Sequence, residues 1–270
     1  MNNAEQPLLP ADLRGPLLLR DRLGAEGAFL LVHLVKAALG SGPPPAPPAP
    51  AHPAAAAAAR VVLLAAAQAG SHYAAVLRKG GLHCPALVEA GRLAIVEPLP
   101  GQGGLPSLRD LHQRLAAAAS GGGGGGLQDS GSGVVLVADD LTALRCLADS
   151  EADWAAFLQA CTALGQQPGC CFVGLAHGDV PDDEGWLARL EHAASIVVDV
   201  EPLESGRSAD TTGRLLVTRR DAGAAAAGGG SGAQLAAAAA AAGGDSGWHV
   251  PGSRQFCYKL QETGARYVAV

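Results

Sequence analysis

Three low-complexity stretches divide this chain of 270 residues and limit how much of it can form a hydrophobic core. Residues 40–59 are rich in Pro and Ala, residues 116–133 in Ala and Gly, and residues 222–247 in Ala, Gly and Ser. Such compositions bury too little apolar area to offset the entropy lost on ordering, so we predict disordered inserts. About 200 residues remain, which suits one α/β domain spanning residues 1–270 and is too few for two.

The charge balance and the cysteines exclude several classes of protein. The chain has 19 Lys and Arg against 25 Asp and Glu, so it lacks the basic field that an independent DNA-binding protein needs. Six cysteines without a CxxC pair indicate free cytosolic thiols rather than a disulfide framework or a zinc site. We expect no secretory signal and no membrane span, because the longest apolar stretch, residues 29–39, contains His33 and Lys36.

Between the inserts, short runs rich in Val, Leu and Ile alternate with longer amphipathic segments. This alternation predicts strands and helices in turn, as in a mostly parallel α/β sheet. The strands are predicted at 16–20, 61–67, 92–97, 134–138 and 170–176. The helices are predicted at 26–39, from Ser71 as N-cap to Gly80, at 107–119, after Asp140, at 153–164 and at 186–192.

The C-terminal part has a different pattern. Four apolar runs lie close together with few helical signals between them, which predicts antiparallel strands at 196–200, 215–219, 256–260 and 266–270. A parallel core extended by antiparallel C-terminal strands is the plan of the RecA-like ATPase fold. A doubly wound Rossmann-type sheet fits the first half equally well.

The motif on which RecA-like ATPases depend is missing. Such enzymes need GxxxxGK[ST] between the first strand and the first helix, so that backbone N–H groups and one Lys bind the phosphates. Aligning this template at Gly24 places Phe29, Leu30 and Leu31 at the last three positions, which cannot bind phosphate. We therefore expect no catalytic residue, no cofactor and no metal site.

An apolar run ending in Asp139-Asp140 resembles a Walker B strand, whose carboxylate would orient magnesium. The simpler interpretation is a strand-end aspartate that caps the helix beginning at Leu141.

Four short motifs follow one another in a distinctive order and spacing. They are Gly27-Ala28-Phe29-Leu30 at a helix start, Ser71-His72-Tyr73 before a helix, Asp139-Asp140 followed by Leu141-Thr142-Ala143-Leu144, and Phe256-Cys257-Tyr258-Lys259. Together they resemble subunit 6 of the Elongator complex, with Ser71, His72, Tyr73, Asp139 and Asp140 as the signature residues. The inserts depart from the family pattern.

The resemblance implies a RecA-like, non-catalytic subunit that lacks its own ATPase motif. It implies a hetero-hexameric ring with Elongator subunits 4 and 5, which works with the remaining Elongator subunits in modification of the tRNA wobble uridine. The expected location is cytoplasmic, with the nucleus as a further compartment. Two alternatives stay open: an active nucleotide hydrolase with an atypical phosphate loop, and a free-standing RecA-like adaptor outside Elongator.

Two further groups are candidates for function in such a ring. Arg219 and Arg220, at the end of a predicted strand, could reach a neighbouring subunit's nucleotide. The loop from His177 to Gly185 is expected to face the central channel, with His177 as the only nearby offset to its acids. Those acids, Asp179, Asp182, Asp183 and Glu184, would repel phosphates, so we expect little direct contact with the tRNA backbone. A solvated basic strand end and a solvated acidic turn are the respective alternatives.

Overall fold

The computed structural model describes residues 15–40, 60–98, 107–120, 133–204, 206, 208–220, 252–261 and 264–270. The first half contains β1 (Gly15–Asp21), α1 (Ala28–Gly40), β2 (Arg60–Leu64), α2 (Gly70–Lys79), α3 (Cys84–Glu89), β3 (Leu93–Val96) and α4 (Leu108–Ser120). The second half contains β4 (Val134–Ala138), α5 (Leu141–Arg145), α6 (Glu151–Gly165), β5 (Cys170–His177), α7 (Glu184–Ala193), β6 (Ile196–Pro202), β7 (Gly213–Arg219), β8 (Gly252–Gln261) and β9 (Gly264–Ala269).

The described strands form one sheet in the order β3-β2-β4-β5-β1-β6-β7-β8-β9. Every pair from β3 to β6 is parallel, and every pair from β6 to β9 is antiparallel. Strand β6 is therefore the point at which the sheet changes direction. This arrangement confirms the predicted parallel core with antiparallel C-terminal strands.

Each face of the sheet carries its own apolar core, because successive strand residues point to opposite faces. Leu17 and Leu19 of β1 lie in the core covered by α1 and α2, whereas Leu18 lies in the core covered by α4, α6 and α7. Trp154 of α6 and Trp186 of α7 meet edge to face in the second core, with ring centroids 5.3 Å apart. Both faces of β1 are thus buried, as expected for the central strand of an α/β sheet.

The start of α2 differs from the prediction. The helix begins at Gly70 and its N-cap is Ala69, whose own side chain makes no capping hydrogen bond. The predicted cap at Ser71 is therefore wrong. The reason is tertiary: the carboxylate of Glu97, beyond β3, accepts the N–H of Gly70 and takes the place of a local cap. Ser71 itself is exposed. The short helix α3 was not predicted.

The second predicted insert, residues 116–133, overlaps the end of a helix. Helix α4 continues to Ser120, so residues 116–120 belong to a helix and the predicted start of the second insert is wrong. The physical reason is the alanine run, since Ala has the highest helix propensity. Residues 41–59, 121–132 and 222–247 lie outside the described residues, so their predicted disorder stays a prediction. In the part of the chain that the structure describes, no helix has the length and apolar character to cross a membrane.

Candidate functional site

The connection from β1 to α1 lies where a RecA-like ATPase holds its phosphate loop. Here Asp21, the last residue of β1, is 4% exposed and turns its carboxylate toward the start of α1. Its Oδ2 accepts the N–H of Gly27 at 2.7 Å. A Cβ at Gly27 would stand 3.2 Å from Cβ of Asp21 and 3.0 Å from Leu175, so this close approach favours glycine. The chain's own carboxylate therefore occupies the beginning of the helix.

The first turn of α1 belongs to the core. Phe29 stacks on Tyr258 of β8 with ring centroids 4.8 Å apart, and Leu30 and Leu31 are each 1% exposed. These residues stand where a phosphate-binding loop would place glycine, a cation and a hydroxyl. With a carboxylate at the helix start and apolar side chains in place of the lysine and the hydroxyl, the residues do not fit a nucleoside triphosphate.

Asp139, the Walker B-like residue, is directed into the protein. It is 1% exposed, and its Oδ1 accepts the N–H of Ala66 at 2.6 Å. Its Oδ2 accepts the N–H of Ala67 at 3.0 Å and the hydroxyl of Tyr73 at 2.7 Å. Burial raises the pKa of Asp139, while these hydrogen bonds act in the opposite direction. Burial, followed by the neighbouring carboxylate, likewise raises the pKa of Tyr73. Asp139 thus joins β4 to the loop after β2 and to α2.

Asp140 has the role that the simpler interpretation assigned to a strand-end aspartate. It is the N-cap of α5, and its Oδ1 accepts the N–H of Ala143 at 2.8 Å. The capping residue is thus the second aspartate of the pair, whereas the first binds the loop after β2. The two neighbours point to opposite sides because they continue the alternation of the strand.

His177, at the end of β5, lies between two carboxylates. Its Nδ1 is 2.6 Å from Oδ1 of Asp21 and its Nε2 is 3.4 Å from Oδ2 of Asp140. Burial alone would lower the pKa of His177, but the hydrogen bonds and charges of Asp21 and Asp140 outweigh it, so the pKa is raised. The histidine therefore holds three neighbouring strand ends together. Sequence reasoning identified His177 and Asp140 but missed Asp21, the acid that ends β1 after its apolar run and Arg20.

The chain resembles a known protein family and known structures. Residues 102–229, just under half of the chain, match the family model of Elongation complex protein 6. Over these residues the chain is similar to this Elongator subunit family, which supports the resemblance that the sequence motifs indicate. No curated protein sequence matches it.

Two solved structures are similar to this chain in fold. One is a KaiC-like protein from the hyperthermophilic archaeon Pyrococcus horikoshii OT3, with a TM-score of 0.57 and 10% identity over 94% of this chain and 89% of that one. The other is an uncharacterized protein from Pyrococcus horikoshii in complex with an unknown peptide, with a TM-score of 0.57 and 11% identity over 95% of this chain and 92% of that one. At such identities the likeness shows the fold alone, which is RecA-like.

The family-signature residues separate into buried and exposed members. Tyr73 is 5% exposed and binds Asp139, as described above. Ser71 and His72 are exposed on α2, and the ring of His72 meets that of Tyr73 edge to face at 5.7 Å. The signature thus marks a structural contact in Tyr73 and leaves two polar side chains at the surface.

The acidic loop after β5 is less uniform than predicted. Asp183 is 2% exposed and pairs with Arg145 at 2.9 Å, so the prediction that only His177 offsets these acids is wrong. Asp179 accepts the N–H of Leu23 at 2.8 Å. Asp182 and Glu184 are exposed. The fold brought Arg145 to the loop from a helix 38 residues away in sequence.

The two candidate arginines differ in their surroundings. Arg220 binds Glu191 of α7 with its Nη2 at 2.5 Å and the Glu191 carbonyl with its Nη1 at 2.9 Å. Glu191 also accepts Arg20 of β1 at 2.9 Å. Arg220 is therefore part of an ion-pair cluster within its own chain. Arg219, the last residue of β7, is half-buried.

Proposed function

We propose that this chain is a non-catalytic subunit of Elongator that forms a hetero-hexameric ring with subunits 4 and 5 and supports modification of the tRNA wobble uridine. The match of residues 102–229 to the family model and the RecA-like fold support this proposal. The proposal that the subunit is non-catalytic rests on one observation. The carboxylate of Asp21 accepts a hydrogen bond from the N–H of Gly27 at the start of α1.

The N-terminus of a helix attracts phosphate through its free N–H groups and its dipole. Here Asp21 already takes that position, so a phosphate would have to displace its carboxylate from the N–H of Gly27. No lysine of the first helical turn compensates, since that turn reads Ala28, Phe29, Leu30, Leu31. The geometry therefore favours a fold that serves through contacts with other chains.

Reconstitution tests the proposal. The chain is coexpressed with Elongator subunits 4 and 5, and the mass of the complex is measured by light scattering. A hexameric mass containing all three chains is the expected result. If the chain elutes alone while subunits 4 and 5 assemble, the free-standing adaptor is favoured. ATP turnover by the pure chain would instead favour the hydrolase.

We further propose that Arg219 reaches the nucleotide of a neighbouring subunit, as arginines supplied in trans do in other nucleotide hydrolases. Arg220, which binds Glu191 of its own chain, is the neighbouring candidate. Arg219→Ala should lower ATP turnover by the reconstituted ring while leaving its mass unchanged. Unchanged turnover would assign Arg219 to a structural role.

In this proposal, tRNA is held mainly by basic residues of the partner chains. The exposed carboxylate of Asp182 would repel the RNA backbone. Asp182→Asn should therefore raise the tRNA affinity of the ring at 10 mM salt, where the Debye length is about 30 Å, and less so at physiological salt. Weaker tRNA binding by this variant would contradict the proposal.

A further inference from the structure

The turn that replaces the phosphate loop carries an exposed apolar side chain at its tip. Leu23 is 90% exposed, more than any other large apolar residue of the described chain. Single exposed apolar residues are common at protein surfaces, so exposure alone implies nothing. The distinguishing observation is how firmly the backbone of this residue is held.

Several hydrogen bonds fix the turn. The N–H of Ala25 donates to the carbonyl of Arg22 at 2.9 Å, and Gly24 between them has a φ of +88°, which favours glycine. The N–H of Leu23 donates to Oδ2 of Asp179 at 2.8 Å. Where the turn leaves β1, the carbonyl of Asp21 accepts the N–H of Gly178 at 2.8 Å. The leucine is thus presented on an ordered backbone, which lowers the entropy lost when a partner binds it.

A groove of about 440 Å³ lies next to the turn and begins at Asp179, the residue that holds Leu23. Apolar side chains of Val180, Pro181, Leu187 and Ala188 line it. The charged residues of the lining are three acids, Asp179, Glu184 and Glu191, and one cation, Arg20, which pairs with Glu191, so the groove is acidic on balance. Such a lining suits the apolar stem and charged head of a Lys or Arg side chain. It would repel a nucleic acid backbone, and two copies of the same acidic groove would repel each other.

From these observations we propose that Leu23 is an anchor that inserts into an apolar socket on a neighbouring, non-identical protein subunit. The groove beside it takes a Lys or Arg side chain of the same partner. The inference rests on the proposed function, because the partners to be tested are Elongator subunits 4 and 5. It goes beyond that function by naming the surface and the chemistry of the contact.

Substitutions at Leu23 test the proposal in the reconstituted complex. Leu23→Ala should weaken binding of the chain to subunits 4 and 5 at least about tenfold, since a central apolar anchor carries much of an interface's affinity. Leu23→Glu should weaken it further, because a carboxylate would enter an apolar socket unpaired. Leu23→Met should bind within about threefold of the wild type. Val88→Glu, at an apolar position of α3 that is 52% exposed, is the control for an added surface charge.

The outcomes separate the two proposals. Because Leu23 is 90% exposed, the melting temperature of the isolated chain should be the same in all Leu23 variants, so weaker binding reports on the interface. Wild-type affinity for Leu23→Glu, or an equal loss for Val88→Glu, would overturn the inference while leaving the proposed function intact. A wild-type chain that does not bind subunits 4 and 5 at all would refute the proposed function, and the anchor would fall with it.

Discussion

The hydroxyl of Tyr73 donates to Oδ2 of Asp139 at 2.7 Å and ties the first buried residue of α2 to the end of β4. In a RecA-like ATPase the strand-end aspartate serves magnesium. Here two backbone N–H groups and one hydroxyl of the same chain donate hydrogen bonds to the carboxylate oxygens of Asp139. The residue that resembles a catalytic acid is thus part of the structural core.

Tyr73→Phe should lower the free energy of unfolding by about 1–3 kcal/mol, because a buried carboxylate loses one of its donors while the ring volume is kept. Urea unfolding measures the change. Ser71→Ala is the matched control two residues away, and it should change stability by less than about 0.5 kcal/mol since Ser71 is exposed and caps nothing. A larger effect at Ser71 than at Tyr73 would contradict this assignment.

His177 should make stability depend on pH. Its pKa is raised in the folded chain by Asp21 and Asp140 against the effect of burial. Its stabilising contribution is therefore complete below the ordinary histidine value of about 6.5 and is lost as the pH rises through the folded-state value. With a side chain 39% exposed, the contribution should stay below about 1 kcal/mol.

The measurement for His177 is the difference in unfolding free energy between wild type and His177→Gln at pH 5.5 and at pH 8.5. We expect the stability advantage of the wild type over the variant to be larger at pH 5.5 than at pH 8.5. Subtracting the variant removes the titration of all other groups. An advantage of the wild type that grows toward pH 8.5 would show that the histidine is held in its neutral form.

The isolated chain should not bind ATP with micromolar affinity in the presence of magnesium. The reason is the carboxylate of Asp21 at the start of α1 and the apolar residues that follow it. Titration calorimetry measures this directly. Micromolar binding that is lost in Asp139→Ala or Asp140→Ala would mean that the strand ends form a nucleotide site after all.

The fold was predictable because its signals are local. Apolar runs marked the strands, and the change of pattern near residue 196 marked the antiparallel part. The contacts of the site were less predictable, since they join distant segments: Asp21 and His177 are 156 residues apart, and the cap of α2 comes from Glu97, 27 residues beyond Gly70. Helix α3 has only six residues, two of which are Cys84 and Pro85, and it gives no periodic pattern.

The connection between β7 and β8 should tolerate shortening. Arg219 and Gly252 are paired across the two strands, so the ends of the connection lie side by side. Loop closure costs only about 0.6 kcal/mol per doubling of length, and a shorter loop costs less. Removing residues 222–247 should therefore leave the melting temperature and assembly with subunits 4 and 5 unchanged. Loss of folding or of co-elution would show that this insert carries structure.

The position of β1 in the sheet has a consequence for synthesis. It is synthesised before the other described strands, yet its two neighbours in the sheet are β5 and β6. His177, the partner of Asp21, is made 156 positions later, which at 5–20 residues per second takes roughly 8 to 30 seconds. During that time the strand Gly15–Asp21 lacks both of its neighbouring strands. Products of interrupted translation should therefore be prone to aggregation. Nascent chains of this protein should depend on chaperones until the second half of the chain has been made.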